Sequence, residues 1–425
     1  MLVNSTRAGQ SPRVLVVNAY SIRNLGDAVI LDGLIAVLRS AGARRIVVAV
    51  PHGADEASPR LAMGADEIVP MPFDLSRGPA FIRRFYPVHA MYALLSLAAV
   101  TVVAFLRPSS MVALRAYVRS DLVISSGGAY LGGPRPGINL ATAFQIVLAR
   151  ILNRPCVIAP VTVKPMSAPV RFIVARALKG IPVFGRDHGT VARLRRIGIP
   201  ATFSGDLAFR SRAAEPPRPR HRSLESLCVA LAPRQFGWDT EPFARRAELE
   251  AATVRVLTTL VRERGARILV VAQSTATGLE DDDAEITRLL SRLAPDVAPS
   301  VRRLPHARSV DEAIAQYAEA DVLYAYRLHA AITALMAGTP SLVIDYEPKV
   351  RGVLSTVGLG DWVISSAEAS DPVMVEGRLV GLAARADQAE MRLSIERGSR
   401  LTSPFVVELE DMLGAAAASA SGSDA

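Results

Sequence analysis

The chain has only two cysteines, Cys156 and Cys228, far apart and in no CxxC pair. This excludes a disulfide framework and a cysteine zinc site, and it makes a reducing, cytoplasmic compartment the expectation. The opening residues MLVNSTRAGQSPR contain no apolar run, so no signal peptide is expected there. The most glycine-rich loop, residues 125–133, is neither a GxGxxG turn nor a Walker loop, since no GK[ST] follows it. No aromatics interleave with the arginine-rich stretch 210–226, so nucleic acid is not an expected partner. No His/Cys/Asp/Glu set has metal-ligand spacing around His329, and neither a metal nor a cofactor is expected.

What is present is a long, apolar chain. With 425 residues, it has room for two domains with sizeable cores. Half of its residues are hydrophobic, which excludes a mainly disordered protein. The net charge is +9, carried mostly by arginine, and suits phosphate groups, an anionic membrane surface or nucleic acid without choosing among them. One stretch, 88–106, contains no Asp, Glu, Lys or Arg. Its length of about 19 residues is near the lower limit for a bilayer span. His89, Ser96 and Thr101 argue against a clean span. A buried or interfacial helix is the expectation, with peripheral contact to the inner face of the cytoplasmic membrane as the functional reading.

Short β-branched runs alternate with amphipathic helical patterns, which predicts an α/β fold with parallel sheets. Strands are expected at 14–18, 46–50, 67–70, 122–125, 156–159, 183–185 and 201–203. A second series is expected at 227–232, 267–272, 321–326 and 341–345. Between the two series, residues 210–226 are rich in Pro and Arg and read as a linker. The expected organisation is therefore a Rossmann-like domain over 1–209, the linker, a second Rossmann-like domain over 227–365, helices over 366–412 and a disordered tail over 413–425. Two such domains imply a cleft between them, with chemistry just past the strand ends.

Five constellations stand at those positions. The first is Asn24-Leu-Gly26-Asp27, where Gly26 allows a tight turn and Asp27 suits a helix N-cap. The second is Ser126-Gly127-Gly128, whose backbone amides can approach an anion or a sugar. The third is Gly185-Arg186-Asp187, with a guanidinium that fits a carboxylate or phosphate, or that simply pairs with Asp187. The fourth is Gly205-Asp206, and the fifth is Arg327-Leu-His329 followed by Tyr346-Glu-Pro-Lys349. In the fifth, three cationic or proton-carrying side chains converge on one sheet edge. Arg234 and Gln273 also follow strands, and Arg234 is a phosphate candidate. The acidic run Glu280–Asp283 reads as a solvated loop favouring a helix N-terminus, with divalent-cation binding as the alternative.

These motifs, in this order over about residues 14–350, resemble the polysaccharide pyruvyl transferase family. The matching elements include the Gly205-Asp206-Leu-Ala-Phe209 and Gly338-Thr-Pro runs. The resemblance implies a GT-B-like fold, with an acceptor side in the N-terminal domain and a phosphoenolpyruvate side in the C-terminal one. It implies transfer of a pyruvyl ketal from phosphoenolpyruvate to a sugar of a glycan or lipid-linked precursor of the cell surface, with release of phosphate. By motif matching, Arg186, His329 and Lys349 inherit the donor-site role, Arg327 lies in the same motif, and Asn24 inherits a site role. On the chemistry, His329 is the expected proton donor, while Asp27 or Asp206 orients the acceptor. Two departures are Ser126, where the family usually has a third glycine, and Val161-Thr-Val-Lys164-Pro165, where a Gly-Pro pair is common. The competing readings are a GT-B glycosyltransferase using a nucleotide sugar and a non-catalytic membrane-docked scaffold.

Overall fold

The computed structural model describes residues 12–19, 23–50, 64–71, 108–133, 136–211, 227–236, 241–275, 281–385 and 387–421. The apolar stretch 88–106 and the linker core at 212–226 lie outside the described residues, as does Glu280. No helix among the described residues is long and apolar enough to cross a membrane.

The first sheet contains β1 (Arg13–Val17), β2 (Arg45–Val50), β3 (Glu67–Pro70) and β4 (Leu122–Ser125). It continues with β5 (Gly128–Leu131), β6 (Cys156–Val163), β7 (Val183–Gly185) and β8 (Thr202–Phe203). The order is β3-β2-β1-β4-β6-β7-β8, with β5 paired to β6 and every pairing parallel. The strands are apolar on both faces: β6 is buried at all eight positions. Helices cover both sides of such a sheet, so its strands read as continuous rather than alternating hydrophobic runs. Leu15, Val17, Val47, Val123, Ile146, Ile158 and Val174 form the centre of this core.

The second sheet contains β9 (Cys228–Ala232), β10 (Arg267–Val270), β11 (Val301–Arg303), β12 (Val322–Ala325), β13 (Ser341–Ile344) and β14 (Val363–Ile364). Its order is β11-β10-β9-β12-β13-β14, again all parallel. This is the doubly wound order, and it reverses direction between β9 and β12. Long helices fit the apolar period between strands. Arg246–Arg264 ends at Gly265, whose φ of 58° closes the helix by donating to Leu260 and Val261.

Several elements differ from the sequence reading, each for a local reason. The glycine-rich turn after β4 includes a short strand, β5, because Gly128–Leu131 finds a partner in β6. Strands β11 and β14 and helices His188–Arg196 and Lys349–Thr356 are too short for periodicity to reveal. The final helix, Ser403–Ser421, continues through the alanine-rich stretch, where intrinsic helix propensity is highest.

The chain divides into two compact units. One takes Met1–Ser21, Leu34–Asp206 and Thr402–Ala425; the other takes Ile22–Gly33 and Leu207–Leu401. The Asn24-Leu-Gly-Asp27 motif is thus grouped with the second sheet. Residues 23–25 pair with residues 273–275: Leu25 N donates to Gln273 O at 2.9 Å, and Thr275 N donates to Arg23 O at 3.0 Å. Asn24 and Ser274 form the antiparallel bridge.

One buried carboxylate in the second unit makes a pH prediction. Glu285 is 2% exposed and sits beside Glu250, with Arg288 at 3.1 Å. Burial pushes its pKa up to about 7, with Arg288 opposing and Glu250 adding to the rise. A carboxyl whose folded pKa is raised binds more protons folded than unfolded, so stability falls as pH rises. The window runs from the ordinary value of 4.5 to about 7. Glu285→Gln is expected to remove this fall. Melting temperatures measured across that window should slope downward for the parent and run flatter for the variant.

Candidate active site

In the second unit the candidate residues stand at the carboxyl ends of β9, β12 and β13. Arg234 follows β9. Arg327 and His329 follow β12, and Lys349 opens the helix after β13. The reversal of strand order between β9 and β12 is where an open α/β sheet leaves room for a ligand.

Arg327 is the N-cap residue of helix Leu328–Met336, in extended backbone, and makes no side-chain cap. Its guanidinium turns to Asp282, with Nη2 at 2.6 Å and Nε at 3.1 Å from the carboxylate. Asp282 is fully buried and also accepts from the backbone N–H groups of Gln273 (3.1 Å) and Ser274 (2.8 Å). Burial raises its pKa, against the pull of Arg327. The acidic run 280–283 therefore has an inward member. Asp281 caps helix Asp282–Leu290 by accepting from Asp283 N, and Asp282 anchors Arg327. No group of three or more candidate metal-ligating side chains occurs among the described residues.

His329 is half-buried in the first turn of its helix, where the backbone amides and the helix dipole favour anions. The segment from the first motif lies directly against it. A Cβ added to Gly26 would sit 2.7 Å from His329 Nδ1 and 3.0 Å from its Cβ and Cγ. Only glycine allows this approach. The cap of helix Leu25–Ser40 is Asn24 rather than Asp27. Asn24 Oδ1 accepts from Gly26 N at 3.0 Å, and Asn24 O accepts from Asp27 N and Ala28 N. The helix starts at Leu25, three residues before Ala28, so Asp27 falls within the first turn, half-buried.

Tyr346 has no role that its sequence pattern would reveal. It is 5% exposed. Arg234 stacks on its ring at 4.6 Å, and the Lys349 ammonium lies 5.2 Å from the ring centre. Both distances are in cation–π range. Burial alone would raise the Tyr346 pKa, but the charges of Lys349 and Arg234 outweigh it and the pKa falls. Phe236 is packed against Tyr346 and stacks on Tyr326, so aromatic rings floor the cationic group. Lys349 also pairs with Glu347 at 2.8 Å, and both side chains are nearly buried. Arg234 Nε is a buried donor with no hydrogen-bond partner among the described residues.

The first unit carries the remaining candidates. After β1, Asn18 adopts a left-handed φ of 57° and donates to Ser125 Oγ at 2.9 Å. Ser125 Oγ contacts Tyr130 Oη at 2.9 Å, and Tyr130 donates to Ser126 O. This buried network ties down the Ser126-Gly127-Gly128 loop. Arg186 follows β7 and is 1% exposed. Its Nη1 donates to Asp206 at 2.7 Å and its Nε to Thr162 Oγ1 at 2.8 Å. Asp187, the partner considered from sequence, instead caps helix His188–Arg196 through Thr190 N at 2.7 Å. Asn24, Gly26, Asp27, Arg234, Arg327, His329 and Lys349 thus belong to the second unit, and Ser126, Gly127, Gly128, Arg186 and Asp206 to the first.

The family model for polysaccharide pyruvyl transferase matches residues 24–348, from the motif at His329's side to the turn before Lys349. The chain belongs to the polysaccharide pyruvyl transferase family. That family implies a transferase acting in polysaccharide chemistry. Among curated proteins, none matches the sequence. Among solved structures, Anabaena Alr3699/HepE in complex with UDP and glucose superposes with a TM-score of 0.54. The identity is 11%, over 95% of this chain and 98% of that one. The α,α-trehalose 6-phosphate synthase of Burkholderia multivorans gives 0.51 at 12% identity, over 96% and 98%. The UDP-GlcNAc 2-epimerase of Neisseria meningitidis, bound to UDP-GlcNAc, gives 0.51 at 11%, over 93% and 99%. At such identities the likeness speaks for the fold alone. The pyruvyl transferase fold seen here, with its two parallel Rossmann-like sheets, is GT-B-like.

Proposed function

We propose that this pyruvyl transferase uses phosphoenolpyruvate as donor and builds a pyruvate ketal on a sugar of a cell-surface glycan or lipid-linked precursor. The observation that carries the donor is the cationic group of the second unit. Arg234 and Lys349 lie over one buried tyrosine, and Arg327 is held nearby by Asp282. His329 stands at a helix N-terminus against Gly26. Phosphoenolpyruvate presents a carboxylate and a phosphate, and a compact set of Arg, Lys and His⁺ answers both.

In this reading His329 gives a proton to the methylene carbon, which becomes the methyl group. The carbon bearing phosphate becomes oxocarbenium-like and is attacked by one sugar hydroxyl, which loses its proton. A second hydroxyl attacks the same carbon as the C–O bond to phosphate breaks; one of the two hydroxyl protons restores His329 and the other departs on the phosphate. Atoms balance as one phosphoenolpyruvate and one diol giving one cyclic ketal and one phosphate. Arg234 and Lys349 stabilise charge on the departing phosphate. Asp27, in the first turn beside Gly26, orients the acceptor hydroxyl. The first unit, with Asn18, Ser126 and the Gly127-Gly128 loop, is assigned to the acceptor. Arg186 and Asp206 set the backbone at the end of β7.

A nucleotide-sugar donor would call for an acidic side chain available to a ribose or sugar. Glu347, the candidate for that role, is engaged by Lys349 at 2.8 Å. The two donors separate in one experiment. Saturating phosphoenolpyruvate should raise the melting temperature of the parent, by mass action worth about 2.7 kcal/mol at a hundredfold excess over Kd. UDP- and GDP-sugars should not. Lys349→Ala should lose most of the phosphoenolpyruvate shift. Stabilisation by a nucleotide sugar alone would transfer the protein to the glycosyltransferases.

A further inference from the structure

Between residues 75 and 186 the chain carries fourteen Lys and Arg residues and one acidic residue, Asp121. This stretch more than accounts for the whole net charge of +9. Asp121 does not relieve the imbalance at the surface, because its carboxylate accepts from the backbone N–H of Arg13 at 2.8 Å.

Five of those cations, Arg115, Arg119, Arg150, Arg171 and Arg176, lie on three neighbouring helices of the first unit, Pro108–Arg119, Pro136–Ile151 and Ala168–Leu178, and Lys179 follows the third. Each helix lies in a connection that runs the same way along the sheet, toward β4, β6 and β7 in turn. Right-handed crossovers therefore place all three on one side of it. Side chains join them: Tyr117 on the first reaches Gln145 on the second at 2.6 Å, and Arg150 on the second donates to Arg176 O and Ala177 O on the third at 3.2 Å. None of the three helices contains an Asp or Glu.

The outer side of this layer is apolar as well as basic. Phe172 is 73% exposed and Ile151 is 71% exposed. Phe172, Arg176 and Lys179 fall at i, i+4 and i+7, and so form one stripe. Met111, Arg115 and Val118 repeat that spacing on the first helix, all of them exposed. Large exposed apolar side chains interleaved with cations, with no acidic residue among them, are the composition of an interfacial face. A folded chain gains little from exposing phenylalanine to water, whereas a headgroup boundary accepts the ring and the charge together.

We propose that this three-helix layer docks on the surface of a bilayer containing anionic phospholipid. The charge selects the lipid: cations near an anionic leaflet are attracted in proportion to their number, and Phe172 and Ile151 reach the acyl boundary. A nucleic acid would use the cations but leave the aliphatic side chains in water. The layer belongs to the first unit and the donor residues to the second, and the proposal stands independently of which donor is used.

The test is co-sedimentation of the full chain with large vesicles. One set is phosphatidylcholine alone, and the other contains about one third phosphatidylglycerol. Binding is expected only to the anionic set, and it should weaken as salt is added. Each cation near the surface contributes about fivefold to partitioning, so Arg115→Gln/Arg176→Gln/Lys179→Gln together should weaken it roughly a hundredfold. Phe172→Ser should weaken it further while the melting temperature stays that of the parent, since the ring is exposed in the fold. Equal binding to both vesicle sets, unchanged binding by the triple variant, or no binding to either set would overturn the proposal. The last result would leave the face to an acidic protein.

Discussion

Arg186→Ala should destabilise the first unit by about 3–5 kcal/mol, because it strands the Asp206 carboxylate in a fully buried site. Both side chains of the pair are 1% exposed, and the guanidinium also holds Thr162 at 2.8 Å. A buried carboxylate without its cation must either stay charged at high cost or take a proton. The expected reading is a melting temperature lower by on the order of 10 °C. Loss of activity in this variant alone would therefore say little about the donor site. Arg186→Met with Asp206→Leu removes both charges and fills much of the same volume, and such swaps are often neutral or stabilising. The double variant should melt near the parent temperature. If it still binds phosphoenolpyruvate, Arg186 is a positioning residue that fixes the end of β7. If it folds but no longer binds, the guanidinium touches the donor despite its burial. A single Arg186→Ala variant as stable as the parent would sink the buried-pair account altogether.

The second large effect belongs to His329 and to the glycine packed on it. As the proton donor, His329 should be worth about 10²–10⁴ in rate, so His329→Ala should lose that much in kcat. Gly26→Ala is the more discriminating variant. Its methyl group would meet His329 at 2.7 Å from Nδ1 and 3.0 Å from Cβ. The near end of the histidine is blocked as well as the ring, so the imidazole cannot simply swing aside. A displacement of even about 1 Å from the productive geometry costs on the order of a hundredfold. We expect kcat to fall by that factor in Gly26→Ala, while the phosphoenolpyruvate-induced thermal shift is largely retained, because Arg234 and Lys349 are untouched. Parent-like kcat in Gly26→Ala would mean that the approach of this segment has no part in placing His329. A thermal shift lost in step with kcat would instead make His329 chiefly an anion ligand.

Much of the site was legible because strand ends are local features. Arg234, Arg327, His329 and Lys349 each follow a run of buried apolar residues, and such a run can be read without knowing its neighbours. Two contributors escaped. Asp282 was hidden in an acidic run whose composition signals solvent, yet it is fully buried on Arg327. Tyr346 opens the Tyr346-Glu-Pro-Lys349 run. Nothing in its spacing shows that Arg234, more than a hundred residues earlier in the chain, would stack on its ring.

The α/β class, the two series of parallel strands and the places where each sheet offers a binding edge can all be read from the chain alone. This is because hydrophobic period and turn chemistry act over a few residues. The packed fold is what chose each residue's partner. It grouped Asn24-Leu-Gly26-Asp27 with the second sheet, through backbone pairing of residues 23–25 with 273–275. It gave Arg186 to Asp206 rather than to its neighbour Asp187, which is turned into a helix cap. It also set three helices that carry cations and no acidic residue side by side. Each of these choices depends on which distant segments a packed sheet brings within hydrogen-bond reach, and local pattern carries no record of that.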